Sequence, residues 1–120
     1  MAKILVVEDS SVDMELVLEA LEPLGHDIIK ATDGAAGLEM AKSALPDLIV
    51  LDIILPKMNG FQVCRDLRSD PKTEKLKVVM LTSKDQDSDK FWGLRQGADE
   101  YLTKPFETEE FQQVVKNQLG

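Results

Sequence analysis

An α/β fold of five βα units, a (βα)5 doubly wound five-stranded parallel sheet with helices on both faces, is predicted by three features of the sequence. Five short apolar runs alternate strictly with five helical patterns, as a parallel sheet with right-handed crossovers requires. The runs, such as KILVV at Lys3 to Val7, are continuously apolar rather than alternating, which suits strands covered on both sides. No linker, repeat or low-complexity stretch interrupts the order, so residues 1–120 read as one domain.

Each element has its own signal. Lys3 to Val7 is the first strand, and Ser10 or Ser11 can cap the helix that follows. In that helix Val12, Leu16, Val17, Ala20, Leu21 and Leu24 mark one face, and Gly25 ends it. Asp27 to Ala31 is a weaker strand, followed by an Ala-rich helix from Gly34 to Leu45 that Pro46 stops. Asp47 to Asp52 is the third strand. Asn59 to Arg68 is a helix with Val63, Cys64 and Leu67 inward. Leu76 to Thr82 is the fourth strand, and Asp87 to Gln96 a helix that Gly97 terminates. Phe91 and Trp92 are neighbours on it and cannot share a face, so one is expected in the core and the other exposed. Glu100 to Thr103 is a short last strand. Thr108 is expected to cap the final helix, with Glu109 and Glu110 complementing its dipole and Phe111, Val114, Val115 and Leu119 on one face.

Composition bounds the function. The chain has 43% hydrophobic and 30% charged residues and a net charge of -8, an acidic balance that argues against a nucleic-acid surface. Cys64 is the only cysteine and His26, expected at the surface, the only histidine, which excludes an internal disulfide and multi-histidine or cysteine metal sites. The start is no signal peptide, and no apolar stretch reaches the roughly 20 residues of a membrane span. The expected location is the cytoplasm.

One carboxylate stands out. Asp52 lies inside LIVLDIILP, where an unpaired buried charge would be costly. Four of the strands end in residues with usable chemistry: Glu8-Asp9 after the first, Asp52 after the third, Thr82-Ser83 after the fourth and Thr103-Lys104-Pro105 after the fifth. Ligand sites of open α/β sheets form beyond the carboxyl ends of the strands, so these residues are expected in one pocket. Glu8, Asp9 and Asp52 are hard oxygen ligands that favour Mg2+, with Mn2+ possible, over zinc. A cation beside Asp52 would keep it ionised and available as a nucleophile, while Lys104 and Thr82 could hold the oxygens of an incoming phosphoryl group.

This constellation resembles the receiver domain of two-component response regulators, the CheY-like family. The matching residues are Glu8-Asp9, Asp52 with Pro56 and Gly60 behind it, Thr82, and Tyr101-Leu102-Thr103-Lys104-Pro105-Phe106. The resemblance spans essentially the whole chain and implies the strand order 2-1-3-4-5. It further implies that Asp52 accepts a phosphoryl group from a phosphohistidine on a sensor histidine kinase or phosphotransfer protein. Asp9 and Asp52 would ligate Mg2+ directly, Glu8 mostly through water, and the backbone carbonyl of Ile54 would complete the set. Thr82 would move its hydroxyl onto the phosphoryl group, Lys104 would pair with it, and the Lys104–Pro105 bond would be cis. Tyr101 would turn inward with Thr82, changing the surface of helix four, strand five and helix five that meets a protein target.

Glu8 stands where Asp is common in the family, and apolar Ile54 stands where a polar residue would orient an attacking water, so a long-lived phosphoryl group is expected. The stretch Phe91 to Ala98 resembles the pilus and twitching-motility group of single-domain receivers, cyanobacterial members in particular. The chain ends directly after its fifth helix, so output through protein contact is expected, from a monomer or weak dimer, as is no nucleic-acid or membrane partner. Three rivals remain: a Mg2+-dependent aspartyl phosphohydrolase, a flavodoxin-like FMN carrier, and a receiver fold that binds partners without phosphorylation. Ile54 counts against the first, where a second Asp is usual. The lack of a Ser/Thr/Gly-rich phosphate loop after strand one counts against the second, and the intact acidic set against the third.

Overall fold

The structure, a computed structural model, describes residues 1–120. Its strands are β1 (Lys3–Val7), β2 (Asp27–Ala31), β3 (Leu48–Leu51), β4 (Lys77–Thr82) and β5 (Glu100–Thr103). Between and after them come α1 (Ser11–Leu21), α2 (Gly34–Ala44), α3 (Gly60–Ser69), α4 (Asp87–Arg95) and α5 (Thr108–Leu119). All strand pairs are parallel, in the order β2-β1-β3-β4-β5. The (βα)5 doubly wound sheet and its expected order are therefore both present.

Strand side chains divide between two cores. Leu5, Val7, Ile49, Leu51, Val78 and Met80 point to one face and pack with Leu38 and Ala41 of α2 and Val63, Cys64 and Leu67 of α3. Ile4, Val6, Leu48, Val50, Val79 and Leu81 point to the other, against Met14, Val17 and Leu21 of α1 and Phe111 and Val115 of α5. This period-two division explains the continuous apolar runs: both halves of each strand need a partner.

Of the two serines expected to cap α1, Ser10 does so, its side chain accepting the Asp13 N–H at 3.2 Å. Several other expectations are corrected. Helix α1 buries Met14, Val17, Ala20 and Leu21, whereas Val12 and Leu16, expected on the inner face, are exposed. It ends at Leu21, and a 3-10 turn over Glu22–Leu24 leads to Gly25, whose φ of 75° is the left-handed conformation that glycine favours. The cap residue of α5 is Glu107, not Thr108. His26 is half-buried rather than fully at the surface, and its Nδ1 accepts the Ala2 N–H at 2.9 Å.

The largest departure concerns α4. Neither Phe91 nor Trp92 enters the core; both are more than half exposed, and Gly93 is the one residue of α4 that is buried. A Cβ on Gly93 would lie 2.7 Å from Cδ2 of Tyr101 and 2.9 Å from Sδ of Met80. The helix thus meets the sheet through bare backbone, the Tyr101 ring fills the space a side chain would take, and the large residues of α4 face outward.

Candidate functional site

Backbone pairing carries three strands past their formal ends and aims their next residues at one point. Glu8 donates its N–H to the Ala31 carbonyl at 3.0 Å, Asp52 to the Val7 carbonyl at 3.1 Å, and Lys104 to the Thr82 carbonyl at 2.8 Å. The side chains then converge. Nζ of Lys104 donates to Glu8 Oε1, to Asp13 Oδ2 at 2.8 Å and to Asp52 Oδ2 at 2.9 Å. An ammonium has three protons, and each has a carboxylate. The second oxygens are occupied as well: Glu8 Oε2 accepts the Ser10 N–H and Asp52 Oδ1 the Ile54 N–H, both at 3.1 Å.

The answer to the misplaced carboxylate is therefore local. Asp52 is buried but paired, standing one residue beyond β3. Burial alone would raise its pKa; the Lys104 hydrogen bond and charge, the Thr82 hydroxyl and the Ile54 N–H outweigh burial and hold the carboxyl below its ordinary value. Glu8 differs. Its desolvation, with the Asp52 charge adding to it, outweighs Lys104 and the Ser10 N–H, so its pKa is raised. Lys104 is likewise desolvated, but hydrogen bonds to Asp13, Glu8 and Asp52 dominate and raise its pKa, keeping it an ammonium. The cluster shifts its two buried carboxyls in opposite directions, Asp52 down and Glu8 up.

Gly60 shapes the loop behind Asp52. A Cβ there would fall 2.3 Å from the Asp52 carbonyl oxygen and 2.7 Å from Cα of Ile53, so α3 can begin against the strand end only through glycine. Gly34, at the start of α2, plays the same part on the other side of the loop: its Cβ would fall 1.7 Å from the Met58 carbonyl oxygen. The Lys104–Pro105 peptide is cis, as the resemblance implied.

Thr82 is fully buried at the end of β4, where its Oγ1 accepts the Lys84 N–H at 3.4 Å. Tyr101 is half-buried on β5 with its ring turned against Gly93, and its hydroxyl donates to the Lys84 carbonyl at 2.7 Å. Asp9 stands apart from the cluster: it is exposed and takes no ion pair. Asp13 was missed by sequence reasoning. It lies in the first turn of α1, three residues after the Ser10 cap.

Lys104 stands between the carboxylates, and no three His, Cys, Asp or Glu side chains are arranged to hold a metal by themselves. The donor chemistry nonetheless fits a hard divalent cation. Glu8, Asp9 and Asp52 offer only carboxylate oxygens, and the Ile54 carbonyl accepts no hydrogen bond from the protein. Three carboxylates, Glu8, Asp13 and Asp52, face one ammonium, with Asp9 exposed nearby in the chain, which leaves net negative charge at the mouth of the sheet. No helix is long and apolar enough to cross a membrane.

Comparison with known proteins agrees with this geometry. Residues 4–116 match the response regulator receiver domain family. The chain is 43% identical over 120 residues to Protein PilH of Pseudomonas aeruginosa, covering all of this chain and 99% of that one. Other curated relatives are longer, and the chain spans 46%, 47% and 23% of three of them. Among solved structures, a putative response regulator from Chloroflexus aurantiacus superimposes with a TM-score of 0.94 at 34% identity, covering 98% of this chain and 97% of that one. The receiver domain of sensor histidine kinase PA1611 from Pseudomonas aeruginosa, solved with a magnesium ion in its active-site cleft, gives 0.92 at 28% identity, covering 99% and 98%. With its sheet order, its strand-end cluster and its sequence all in agreement, the chain belongs to the response regulator receiver domain family and has the CheY-like fold.

Proposed function

We propose that the protein is a phosphorylation switch in which Asp52 accepts a phosphoryl group from a phosphohistidine on a partner kinase or phosphotransfer protein. An Asp52 carboxylate oxygen attacks phosphorus, the new O–P bond forms as the P–N bond breaks, and the departing imidazole takes up a proton. The observation that carries this reading is the ammonium of Lys104 at 2.9 Å from a buried carboxylate held ionised. That ammonium can follow the charge onto a phosphoryl oxygen, and the buried Thr82 hydroxyl at the neighbouring strand end supplies a second donor. Glu8, Asp9, Asp52 and the Ile54 carbonyl would hold Mg2+, or Mn2+ in its place. When bound, the ion supplies neutralisation of the charge crowded around the transferred group.

The added charge of about -1.5 to -2 changes what Lys104 and Thr82 bond to. Tyr101 reads that change through Lys84, and the surface of α4, β5 and α5 carries it to a protein target. In this reading the chain turns over no substrate beyond forming and losing its own phosphoryl group. It acts in the cytoplasm as a monomer or weak dimer, without nucleic acid or membrane, and the likeness to Protein PilH favours a role in motility.

Incubation with Mg2+ and acetyl phosphate, read by intact mass, tests the assignment. A single base-labile phosphoryl adduct is expected, lost in Asp52→Asn. No adduct on the wild-type chain, or an undiminished one in the variant, rejects it.

A further inference from the structure

Lys104 is fully committed, and that fact has a consequence for Asp13. Its three protons go to Glu8, Asp13 and Asp52, so no proton remains for a further acceptor. A phosphoryl group on Asp52 brings new acceptor oxygens and more negative charge to the same place. The proton now donated to Asp52 can pass to one phosphoryl oxygen, but the ammonium can meet a second only if Glu8 or Asp13 yields.

Burial decides which. The side chain of Glu8 is 4% exposed and that of Asp13 is 36% exposed. Removing the counter-charge from a buried carboxylate leaves it unpaired and unsolvated, whereas water can replace Lys104 at Asp13. Space for that water exists. The Asp13–Lys104 pair borders an open groove of about 650 Å3 between α1 and the segment joining β5 to α5, lined also by Leu16, Ser83, Pro105 and Phe106. The pair is also a tie across that groove, joining residues 91 apart in sequence.

We propose that Asp13 is the exchangeable partner of Lys104: a positioning residue that shares the ammonium with Asp52 beforehand and releases it when a phosphoryl group stands there. Release unties the first turn of α1 from the segment leading into α5. Asp13 thus sets a threshold, because the phosphoryl group must outcompete it. Removing its charge makes the phosphorylated arrangement easier to reach even though it removes an ion pair from the resting one.

The proposal rests on the phosphoacceptor reading of Asp52, and the test separates the two. Beryllofluoride, a non-covalent stand-in for the phosphoryl group, is titrated in Mg2+ into the wild type and into Asp13→Asn and Asp13→Glu, with saturation followed by backbone amide NMR. In Asp13→Asn the half-saturating concentration is expected to fall about two- to fivefold, the range a partly exposed ion pair spans. The unfolding midpoint, measured without metal, is expected to fall or stay level in the same variant. A purely structural residue would give weaker binding with lower stability, so the opposite signs identify the positioning role. Asp13→Glu, which keeps the carboxylate, is expected to bind as the wild type does. An unchanged or raised half-saturating concentration in Asp13→Asn, or equal behaviour of both variants, overturns the role of Asp13 while wild-type binding leaves the Asp52 reading standing. No binding to the wild type overturns both.

Discussion

The hydroxyl of Tyr101 donates a 2.7 Å hydrogen bond to the carbonyl of Lys84, two residues beyond the buried Thr82. This joins the middle of β5 to the loop after β4, and the ring that makes the bond lies against the bare backbone of Gly93. Burial, with the charges of Asp89, Asp52 and Asp85 adding to it, pushes the phenol up to about 12. Tyr101 is the only tyrosine of the chain, so tyrosinate absorbance reports it alone. A spectrophotometric titration is expected to place its midpoint near 12, with circular dichroism confirming that the fold persists. A midpoint near 10, the ordinary value, would mean that the ring spends its time in solvent.

Gly60→Ala tests how tightly the loop is pressed against the acceptor. The added methyl would meet backbone atoms of Asp52 and Ile53, which cannot swing aside as a side chain could. The expected loss is about 1–3 kcal/mol in urea unfolding, as for an overpacked core site. Acetyl phosphate labelling should slow as well, since relief of the clash moves Asp52 off Lys104. A variant as stable and as reactive as the wild type would show that α3 is free to back away.

Much of this molecule was legible in the sequence because its signals were redundant. The strands read well because parallel strands bury both faces, so KILVV and LKVVML carry one lysine each near the start and are otherwise continuously apolar. Glu8, Asp52 and Lys104 read well because each sits just past a strand end, where topology alone brings residues together. The helices mislead where periodicity does not fix the inner face: α1 has apolar residues nearly all round, so its pattern suits an inner face that includes Val12 and Leu16 as well as the observed one. On α4 the glycine decides the packing. Its small volume lets Tyr101 in and leaves Phe91, Trp92 and Leu94 outside, a result of close approach that no hydrophobic pattern encodes. Asp13 escaped for a further reason. An acidic residue in the first turn of a helix satisfies the helix dipole already, so nothing in the sequence asks for a partner 91 residues away.

Ile54 follows Asp52 by two residues and is half exposed at the mouth of the site. An apolar side chain there cannot orient a water for attack on the phosphoryl group. In Ile54→Asn a water gains a hydrogen-bonding partner, and the adduct is expected to decay faster, by about tenfold if the gain approaches 1.4 kcal/mol of barrier. The check is the decay of the intact-mass adduct after acetyl phosphate is removed. An unchanged or longer lifetime would count against the argument.

Arg68 closes the end of the sheet opposite the site. Its guanidinium donates five hydrogen bonds, to the carbonyls of Gly97 (twice), Glu74 and Leu76 and to the carboxylate of Asp99. Asp99 in turn accepts the Val78 N–H at 2.8 Å. The cluster pins the chain between α4 and β5 to the end of α3. Arg68→Ala is expected to cost about 2–3 kcal/mol in urea unfolding, since several part-buried acceptors lose a charged donor together. Hydrogen exchange should quicken at residues 96–99 before it does in β1 or β3. A loss below 0.5 kcal/mol (about the size of an ordinary surface change) would show that water replaces the guanidinium freely.

Lys104→Met separates the charge of Lys104 from its packing, and pH gives the signature. In the variant Glu8 and Asp52 stay buried without their counter-charge, which for a broken buried pair costs about 3–5 kcal/mol at neutral pH, reduced here because Asp13 is partly solvated. That deficit exists only while the carboxyls are ionised. Asp52, whose folded pKa is lowered in the wild type, contributes stability above its unfolded value of 3.8 and loses it as pH falls through the lowered one. Glu8, whose folded pKa is raised, has the opposite sign: its contribution is complete below 4.5 and is lost as pH rises through the raised folded value. The gap between wild type and variant is therefore expected to be widest near neutrality and to narrow in acid, first as Glu8 protonates through its raised folded value and then as Asp52 protonates through its lowered one. On the alkaline side, the raised pKa of Lys104 gives the wild type a contribution that is complete below 10.5 and fades as pH rises through the folded value, so the gap narrows there too. Urea unfolding of both proteins from pH 3 to pH 11 measures the curve. A gap constant across that range would mean that Lys104 stabilises through its methylenes, and that its ammonium does not organise the site.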